Sequence, residues 1–253
     1  MAAFRAAHVP HRPLVLPNVW DASSARAFAG AGWTALATSS AAVAEVLGHR
    51  DGEHTPADRM LAAVEEIARA VRVPVTADME RGYGLEPEEL VERLLATGVV
   101  GCNLEDTDPA TGELVDVAEQ AAWWARVRSA AGDRLVLNAR VDSFLRAVPG
   151  ASARGMVEDA VRRGRAYAAA GVDCVYPLGA PPESLPELVA RIGAPVNGLS
   201  HPDGASPREL GRLGAARVTF GEGLYRLALA RGVRGERLAA LLPGPTPGMP
   251  STP

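Results

Sequence analysis

Short runs of β-branched and other apolar residues alternate along the chain with alanine-rich stretches in which apolar residues recur at helical spacing. The first pattern is typical of buried strands and the second of amphipathic helices. Eight strands are predicted, over residues 14–17, 35–39, 73–79, 100–105, 135–141, 174–177, 194–199 and 217–220. Helices are predicted over residues 22–29, 56–71, 87–97, 117–130, 153–169, 182–191 and 207–213, and from residue 224 onwards.

Regular alternation of strands and helices predicts a parallel sheet, because each helix returns the chain to the same end of the sheet. Eight such units in roughly 220 residues fit a closed (β/α)₈ TIM barrel of the α/β class. A doubly wound open sheet is the alternative. Thr55-Pro56 and Ser206-Pro207 are typical helix starts, where a hydroxyl caps free N–H groups and proline has a preset φ.

No linker or change of composition divides the chain, so we expect a single barrel domain over residues 13–242. An N-terminal arm, residues 1–12, precedes it. The segment 243–253 is too rich in proline and glycine for a regular element and is predicted to be a loose tail.

Composition narrows the possible chemistry. The 26 basic residues against 30 acidic ones give a net charge of −4, and all 26 are arginine. Without lysine, Schiff-base aldolase chemistry and a phosphate-loop lysine are excluded. The absence of a basic cluster argues against nucleic acid, and the absence of an eighteen-residue apolar run argues against a membrane. Cys102 and Cys174 lie in apolar runs, as expected for reduced thiols in a cytoplasmic protein.

Acidic residues follow three consecutive predicted strands, at the rim where such barrels carry their catalytic groups. They are Asp51, Asp78, Glu80, Glu105 and Asp106. Asp78 and Glu80 are separated by one residue, so on a strand both point to the same face. Crowded carboxylates need a cation between them, and oxygen ligands favour Mg²⁺ or Mn²⁺ over zinc. Alternatively, these side chains cap loops or pair with nearby arginines.

Arg140 ends the fifth predicted strand. A guanidinium at a barrel mouth is suited to clamp a substrate carboxylate through two parallel hydrogen bonds. The alternative is an ion pair with Asp142 or Glu105. The predicted ligand is therefore a small anionic carboxylate.

The second and seventh predicted strands end in small polar residues. Ser39 and Ser40 follow the second, and Asn197 lies on the seventh, at positions suited to substrate binding. The two serines would donate hydrogen bonds to a carboxylate or phosphonate. Alternatively, they only cap a turn.

Seven short motifs occur in a fixed order: PNVWD (17–21), TSSA (38–41), LGHRD (47–51), DMERGYG (78–84), NLED (103–106), ARVDSF (139–144) and FGEGLY (220–225). In order and spacing they resemble the isocitrate lyase and phosphoenolpyruvate mutase superfamily over about residues 13–240. This resemblance implies a barrel assembled as a homodimer or homotetramer, with C-terminal helices exchanged between subunits.

The same resemblance implies roles for individual residues. Asp78 would bind Mg²⁺ directly, and Asp51, Glu80 and Glu105 would hold it directly or through water. The segment from Ser39 through Ser40 to Ala41 would bind the substrate, and Arg140 would clamp it. Catalysis would then rest on Arg140, Asp51 and Glu105, with Asp78, Glu80 and Glu105 as the metal ligands.

The loop after the fourth strand departs from the superfamily pattern. The lyases carry a Lys-x-Cys-Gly-His type loop there and the mutases a lysine and an asparagine, whereas this chain reads DTDPATGEL (106–114). The leading prediction is a Mg²⁺-dependent carbon–carbon lyase or decarboxylase acting on a small 2-oxo or 2-hydroxy di- or tricarboxylate through a pyruvate-type enolate. The alternatives are a P–C bond enzyme, of the mutase or phosphonopyruvate hydrolase type, and a non-catalytic barrel that binds 2-oxo acids.

Overall fold

The strands of this protein are short, and every pairing between them is parallel. A computed structural model describes residues 2–147 and 150–231. Its strands are β1 (Leu14–Val15), β2 (Asn18–Val19), β3 (Leu36–Thr38), β4 (Val75–Asp78), β5 (Gly101–Leu104), β6 (Val136–Val141), β7 (Cys174–Pro177), β8 (Asn197–Leu199) and β9 (Arg217–Thr219).

Helices lie between the strands and flank them. They are α1 (Ala2–Ala6), α2 (Ala22–Gly30), α3 (Ser40–Val46), α4 (Ala57–Arg69), α5 (Pro87–Thr97), α6 (Val117–Ala131), α7 (Ala153–Ala169), α8 (Leu185–Ile192), α9 (Pro207–Arg212) and α10 (Gly223–Arg231), with a 3₁₀ turn at Pro182–Ser184. The eight predicted strands and their helices are confirmed, the first strand over Leu14–Val15 only, and β2, α1 and α3 are additional. The chain beyond residue 231, including the predicted tail 243–253, lies outside the described residues.

The strand order returns to its starting point. Strands β2 to β7 form one sheet in chain order, and β1, β9 and β8 form another. A parallel bridge between Val175 and Val196 connects β7 to β8, and only Leu16 and Pro17 separate β1 from β2. Leu16 donates its N–H to the carbonyl of Val218 at 2.9 Å, so pairing continues through this interruption. Eight parallel strands therefore follow one another in a ring, as in a (β/α)₈ barrel and not a doubly wound sheet.

The barrel axis carries polar side chains, whereas the layer between strands and helices is apolar. Arg217 of β9 reaches Asn103 of β5 on the other side of the ring, and Asn138 bonds both Asn103 and Asn197. Contacts between strands that are not neighbours are possible only inside the barrel. Outside it, the apolar faces of the helices pack on the strands in one continuous core.

Residues 2–12 pack against the barrel at the end where the strands begin. Phe4 of α1 is buried in a small apolar cluster with Leu16 and Val136. Arg5 binds the carboxylate of Asp173 at 2.8 Å and the carbonyl of Leu135 at 2.9 Å. Because both partners directly precede strands, α1 covers the end of the barrel opposite to the one where catalytic loops lie.

One of the two predicted helix starts is confirmed in detail. Ser206 caps α9 by accepting from the N–H of Glu209, and the Glu209 carboxylate accepts from Ser206 in return. At the other, Pro56 occupies the cap position of α4 and no side chain caps the helix. The Thr55 hydroxyl is buried and has no partner among residues 2–147 and 150–231. The prediction that Thr55 caps α4 is therefore wrong. Within the described ranges, no helix is long and apolar enough to cross a membrane.

Candidate active site

A cavity of about 840 Å³ opens where the strands end and their following loops begin. Its walls come from almost every strand of the ring, which is why residues distant in sequence meet there. Among the predicted site residues, those that line it are Ser39, Ser40, Ala41, Asp51, Asp78 and Arg140. Glu80, Glu105 and Asn197 do not line it.

Asp78, the last residue of β4, presents its carboxylate to the cavity. Ser40 donates to Asp78 Oδ2 from its hydroxyl at 2.9 Å and from its backbone N–H at 3.2 Å. The hydroxyl of Thr38, at the end of the neighbouring strand β3, accepts a hydrogen bond from the backbone N–H of Asp78 at 2.8 Å. No other donor to the Asp78 carboxylate occurs in residues 2–147 and 150–231, so Oδ1 remains available to a ligand.

The two serines have different roles. Ser39 precedes α3 and accepts at its hydroxyl from the N–H of Ala42 at 3.4 Å, which makes it the helix cap. That hydroxyl keeps its own proton for donation, whereas the Ser40 hydroxyl gives its proton to Asp78. Turn capping, the alternative interpretation, therefore applies to Ser39, although both serines also line the cavity.

Asp51 is the second carboxylate at the cavity. Burial raises its pKa, and the negative charge of Asp78 raises it further, whereas the positive charge of Arg140 opposes the shift. A carboxylate in a cleft whose ionisation is disfavoured by burial and by a neighbouring carboxylate is typical of a functional site.

A reciprocal pair of carboxylates holds the Asp51 loop against the loop that follows β4. Glu80 Oε2 accepts from the N–H groups of Gly52 and Glu53, both at 2.7 Å, and Glu80 Oε1 accepts from the Tyr83 hydroxyl at 2.5 Å. In return, Glu53 Oε1 accepts from the N–H groups of Arg81 and Tyr83 at 2.9 and 2.6 Å. We call Glu53, Glu80 and Tyr83 the loop clamp.

All three residues of the loop clamp adopt left-handed backbone, with φ of 60° at Glu53, 45° at Glu80 and 58° at Tyr83. Such conformations cost about 1 kcal/mol or more each in residues other than glycine, and they concentrate at functional sites. Strand β4 ends at Asp78, so the strand alternation that was expected to bring Glu80 to the face of Asp78 does not extend to Glu80. Burial raises the pKa of Glu80 to about 7.

Arg140 lies on β6 and is held by two carboxylates. Its Nε and Nη2 donate to the two oxygens of Asp142 at 2.7 and 2.9 Å, and its Nη1 lies 2.5 Å from Glu105 Oε2. The alternative interpretation, an ion pair, therefore describes this arrangement. Since a guanidinium has five N–H donors and these contacts use three, Arg140 keeps two donors for a ligand in the cavity. Burial raises the pKa of Glu105 well above its usual value.

The loop that departs from the superfamily pattern folds into a small hairpin that does not line the cavity. Thr107 and Leu114 form an antiparallel bridge, and the N–H of Asp108 donates to the carbonyl of Glu113 at 2.8 Å. Thr107 is buried and donates its hydroxyl to Asp142 at 2.7 Å. This loop therefore supports Asp142, and through it Arg140, instead of supplying a group to the cavity.

Asn197 is buried in the barrel interior instead of at the cavity. Its amide donates to the carbonyl of Gly198 and to the Thr219 hydroxyl, at 2.9 and 3.0 Å. The cavity floor instead includes Asn18, Asn103, Tyr176 and Thr219, which were not predicted as site residues. Asn18 and Asn103 belong to two of the motifs that carried the resemblance. The motifs therefore pointed to these two residues, whereas reasoning from strand ends did not.

The remaining wall of the cavity combines apolar side chains with polar and charged ones. Leu145, Leu178, Leu199 and Phe220 line it beside the polar residues His201 and Glu222. Glu222 pairs with Arg226 at 2.9 Å at the exposed rim. A ligand in this cavity therefore meets both charged groups and hydrocarbon side chains.

Metal-binding groups do not form a preassembled cluster. Among the described residues, no three His, Cys, Asp or Glu side chains converge as a metal site. The predicted ligands Glu80 and Glu105 are committed to the loop clamp and to Arg140. The two carboxylates that remain, on Asp51 and Asp78, fit a hard cation that takes its other ligands from water and substrate, as Mg²⁺ commonly does.

Comparison with known proteins gives one family and several relatives. Residues 4–238 match the family described as phosphoenolpyruvate phosphomutase. The chain is 35% identical to an uncharacterized protein of Mycobacterium tuberculosis over 250 residues, covering 95% of this chain and 93% of the relative. It is 30% identical to an oxaloacetate decarboxylase of Bradyrhizobium sp. (strain BTAi1), covering 92% of this chain and 83% of that enzyme.

A solved structure from Burkholderia cenocepacia J2315 is also similar. It is described provisionally as a phosphonomutase and is 42% identical to this chain. The alignment has a TM-score of 0.83 and covers 95% of this chain and 97% of that one. The relatives therefore include proteins named for C–C and for P–C chemistry.

Proposed function

The chain belongs to the phosphoenolpyruvate phosphomutase family, and from this premise we propose that it is a Mg²⁺-dependent carbon–carbon lyase or decarboxylase. Its substrate is a small 2-oxo or 2-hydroxy di- or tricarboxylate, cleaved through a pyruvate-type enolate. The observation that carries this proposal is that Asp51, Asp78 and Arg140 line one cavity. They supply two carboxylates for a hard cation and a guanidinium for a substrate carboxylate.

In this proposal Asp78 would hold the cation directly, and Asp51 would hold it directly or through water. Glu80 and Glu105 act indirectly, Glu80 by fixing the Asp51 loop and Glu105 by orienting Arg140. When bound, Mg²⁺ supplies electrostatic stabilisation of the negative charge that develops on the substrate as the bond at its neighbouring carbon breaks. Mn²⁺ accepts the same oxygen donors.

The substrate carboxylate is assigned to the segment from Ser39 to Ala41 and to Arg140. The Ser39 hydroxyl retains a proton, and Arg140 retains two N–H donors, so both can donate to the same anion. The apolar side chains that line the cavity, Leu145, Leu178, Leu199 and Phe220, are left to contact the rest of the substrate. The similarity to an oxaloacetate decarboxylase supports the decarboxylase form of the proposal. So does the hairpin over residues 107–114, which lies away from the cavity and lacks the thiol that the corresponding loop carries in the lyases that the chain resembles.

Pyruvate formation tests this proposal. Oxaloacetate, methylisocitrate and dimethylmalate all release pyruvate on cleavage, which lactate dehydrogenase and NADH measure continuously. We expect Mg²⁺-dependent pyruvate formation from at least one of them. The Asp78→Ala variant is the control for decarboxylation of oxaloacetate by free metal, and equal rates for this variant and the wild type would overturn the proposal.

A second candidate is P–C bond chemistry, favoured by the 42% identity to the protein provisionally described as a phosphonomutase. The absence of lysine weighs against it, because a lysine steadies the phosphoryl group in the mutases that the chain resembles. Phosphorus NMR after incubation with phosphonopyruvate and Mg²⁺ decides between the two. A third outcome, binding of oxalate with Mg²⁺ but no turnover of any substrate, would identify a non-catalytic barrel.

We also propose that the protein forms a homodimer or homotetramer in the cytoplasm. The family resemblance supports the assembly. Cys102 and Cys174 are buried and unbonded, and burial raises the pKa of each thiol to about 12, which suits inert thiols in a reducing compartment. Light scattering coupled to size-exclusion chromatography measures the mass of the assembly, and a monomer would contradict it.

A further inference from the structure

Asn103, on the floor of the cavity, accepts two hydrogen bonds at one atom. Its Oδ1 accepts from Arg217 Nη2 at 3.0 Å and from Asn138 Nδ2 at 2.7 Å. The sheet register pairs Asn103 with Asp78 on one side and with Asn138 on the other. Asn103 therefore lies next to the proposed metal ligand, at the boundary between the cavity and the polar interior of the barrel.

Arg217 determines which way the Asn103 amide points. The two ends of an asparagine amide are nearly isosteric, and their assignment rests on the hydrogen-bond network. A guanidinium has donors and no acceptor, so the amide oxygen must face Arg217 and the NH₂ group must face away from it. No acceptor for this NH₂ group occurs in residues 2–147 and 150–231, and Asn103 lines the cavity although it is only 4% exposed.

Arg217 itself is difficult to explain as a stabilising residue. It is 0% exposed, forms no ion pair with any described residue, and its Nε and Nη1 have no partner there. A buried charge without a counter-ion is costly, and replacing one by an apolar side chain of similar volume is often neutral or stabilising. A role in function accounts for its presence, because the one side-chain hydrogen bond that it forms with the described residues ends on a cavity residue.

We propose that Asn103 is a substrate-binding residue that donates a hydrogen bond from Nδ2 to an anionic oxygen of the bound acid, and that Arg217 is the positioning residue that orients it. The positive charge of Arg217 lies directly behind the amide and polarises it towards the ligand, so the bond is stronger than one from an isolated amide. This inference rests on the proposed function, since it requires a carboxylate-bearing ligand in the cavity.

Asn103→Asp is the decisive variant. The aspartate keeps an oxygen for Arg217 and Asn138, and its charge neutralises that of Arg217, so the fold should be retained. The variant loses the Nδ2 amide, the only hydrogen-bond donor of the Asn103 side chain, and gains a negative charge at the cavity. We expect oxalate, titrated calorimetrically at saturating Mg²⁺, to bind at least ten times more weakly than to the wild type.

Arg217→Met tests the positioning role. We expect a melting temperature equal to or above that of the wild type, together with oxalate binding several times weaker. A purely structural arginine would give the reverse, a lower melting temperature with unchanged oxalate affinity. If this variant does not fold, Asn103→Asp still decides the proposal. Thr76→Val is the matched control, because it removes another buried, unpartnered polar group of the barrel without touching the cavity.

The outcomes separate this inference from the proposed function. If the wild type does not bind oxalate with Mg²⁺, the proposed function fails and this inference fails with it. If the wild type binds and Asn103→Asp binds within a factor of two, only this inference is overturned. Titration of Asn103→Asp with Mg²⁺ alone completes the experiment. The added carboxylate should not weaken Mg²⁺ binding, so a loss of affinity confined to oxalate supports the donor role of Asn103.

Discussion

Arg140 and Asp142, two residues apart on and just beyond β6, form a bidentate ion pair. Arg140 donates from Nε and Nη2 to the two carboxylate oxygens at 2.7 and 2.9 Å, and the Asp142 side chain is fully buried. Thr107 donates to Asp142 as well, and the backbone N–H of Asp142 donates to Asp106. This network fixes the guanidinium in the cavity wall with its remaining donors free.

Arg140→Lys should therefore lower both the stability of the protein and its affinity for oxalate, more than the same substitution at a surface arginine. Lysine keeps the charge but has no planar fork, so it cannot hold Asp142 and Glu105 together. We expect the free energy of unfolding to fall by about 3 kcal/mol, as for other broken buried ion pairs, and Mg²⁺-dependent oxalate binding to weaken. Urea denaturation and calorimetry measure the two effects.

The matched control is Arg126→Lys. Arg126 also contacts two carboxylates, those of Glu86 and Glu88, but all three side chains are exposed. Its replacement should change neither stability nor oxalate binding measurably. Equal effects at Arg126 and Arg140 would contradict the importance assigned to the buried network.

Asp78→Asn should abolish metal-dependent binding while preserving the fold. An asparagine oxygen still accepts from Ser40, but the side chain no longer carries the charge that a hard cation requires. We expect at least a hundredfold loss of oxalate affinity in the presence of Mg²⁺, with an unchanged melting temperature. Asp133→Asn, at an exposed aspartate remote from the cavity, is the control, and retained Mg²⁺-dependent binding by Asp78→Asn would remove Asp78 from the ligand set.

Glu80→Ala should weaken Mg²⁺ binding without removing a ligand. Its carboxylate anchors the N–H groups of Gly52 and Glu53, next to Asp51, so its loss frees the loop that carries the second carboxylate. Tyr83→Phe removes only one of the bonds to Glu80 and should give a smaller loss. Calorimetric titration with Mg²⁺ orders the three proteins, and a larger effect from Tyr83→Phe than from Glu80→Ala would contradict the loop clamp.

His8 should make stability depend on pH well away from the cavity. Burial and, to a lesser extent, the nearby charge of Arg217 lower its pKa to about 4, while hydrogen bonding to the carbonyl of Phe4 and the charge of Asp173 oppose the shift. Between pH 6.5 and 4 the unfolded chain takes up a proton at His8 that the folded chain refuses. Folding stability contributed by neutral His8 is therefore complete above pH 6.5 and is lost as pH falls towards 4, by up to about 3 kcal/mol.

His8→Asn removes this titration, because asparagine does not ionise. Its amide can replace the hydrogen bond from Nδ1 to the carbonyl of Phe4. Denaturation curves at pH 7.5 and 4.5 should show the wild type losing about 3 kcal/mol more than the variant. His11→Asn replaces an exposed histidine of the same segment and serves as the control. Parallel losses in the wild type and His8→Asn would refute the assignment.

Gly101→Ala should destabilise the barrel next to Asn103. A Cβ at this position would lie 2.5 Å from the carbonyl oxygen of Val136 and 3.3 Å from the Thr76 hydroxyl, and the backbone oxygen cannot move without breaking the β5–β6 pairing. We expect a loss of about 3 kcal/mol in unfolding free energy. Gly30→Ala, where nothing lies within 4 Å of the added methyl, should cause no loss.

The sequence alone determined the elements of this barrel and the chemistry that it excludes. Strand and helix periodicities are local properties, so the eight strands could be located within a few residues, and the zero count of lysine needs no structure. The rule that strand ends of a parallel barrel meet at one rim brought together Asp51, Asp78, Arg140 and the segment from Ser39 to Ala41, all of which line one cavity.

Only the tertiary structure decided what each polar residue contacts. The left-handed backbone at Glu80 turns its carboxylate to the Asp51 loop, and Glu105 pairs with Arg140 across strands. The Asn103 amide is oriented by a hydrogen bond from Arg217, which is 114 residues away in the chain. Such pairings depend on register, on backbone angles outside regular elements and on contacts across the ring, none of which leaves a periodic trace in the sequence.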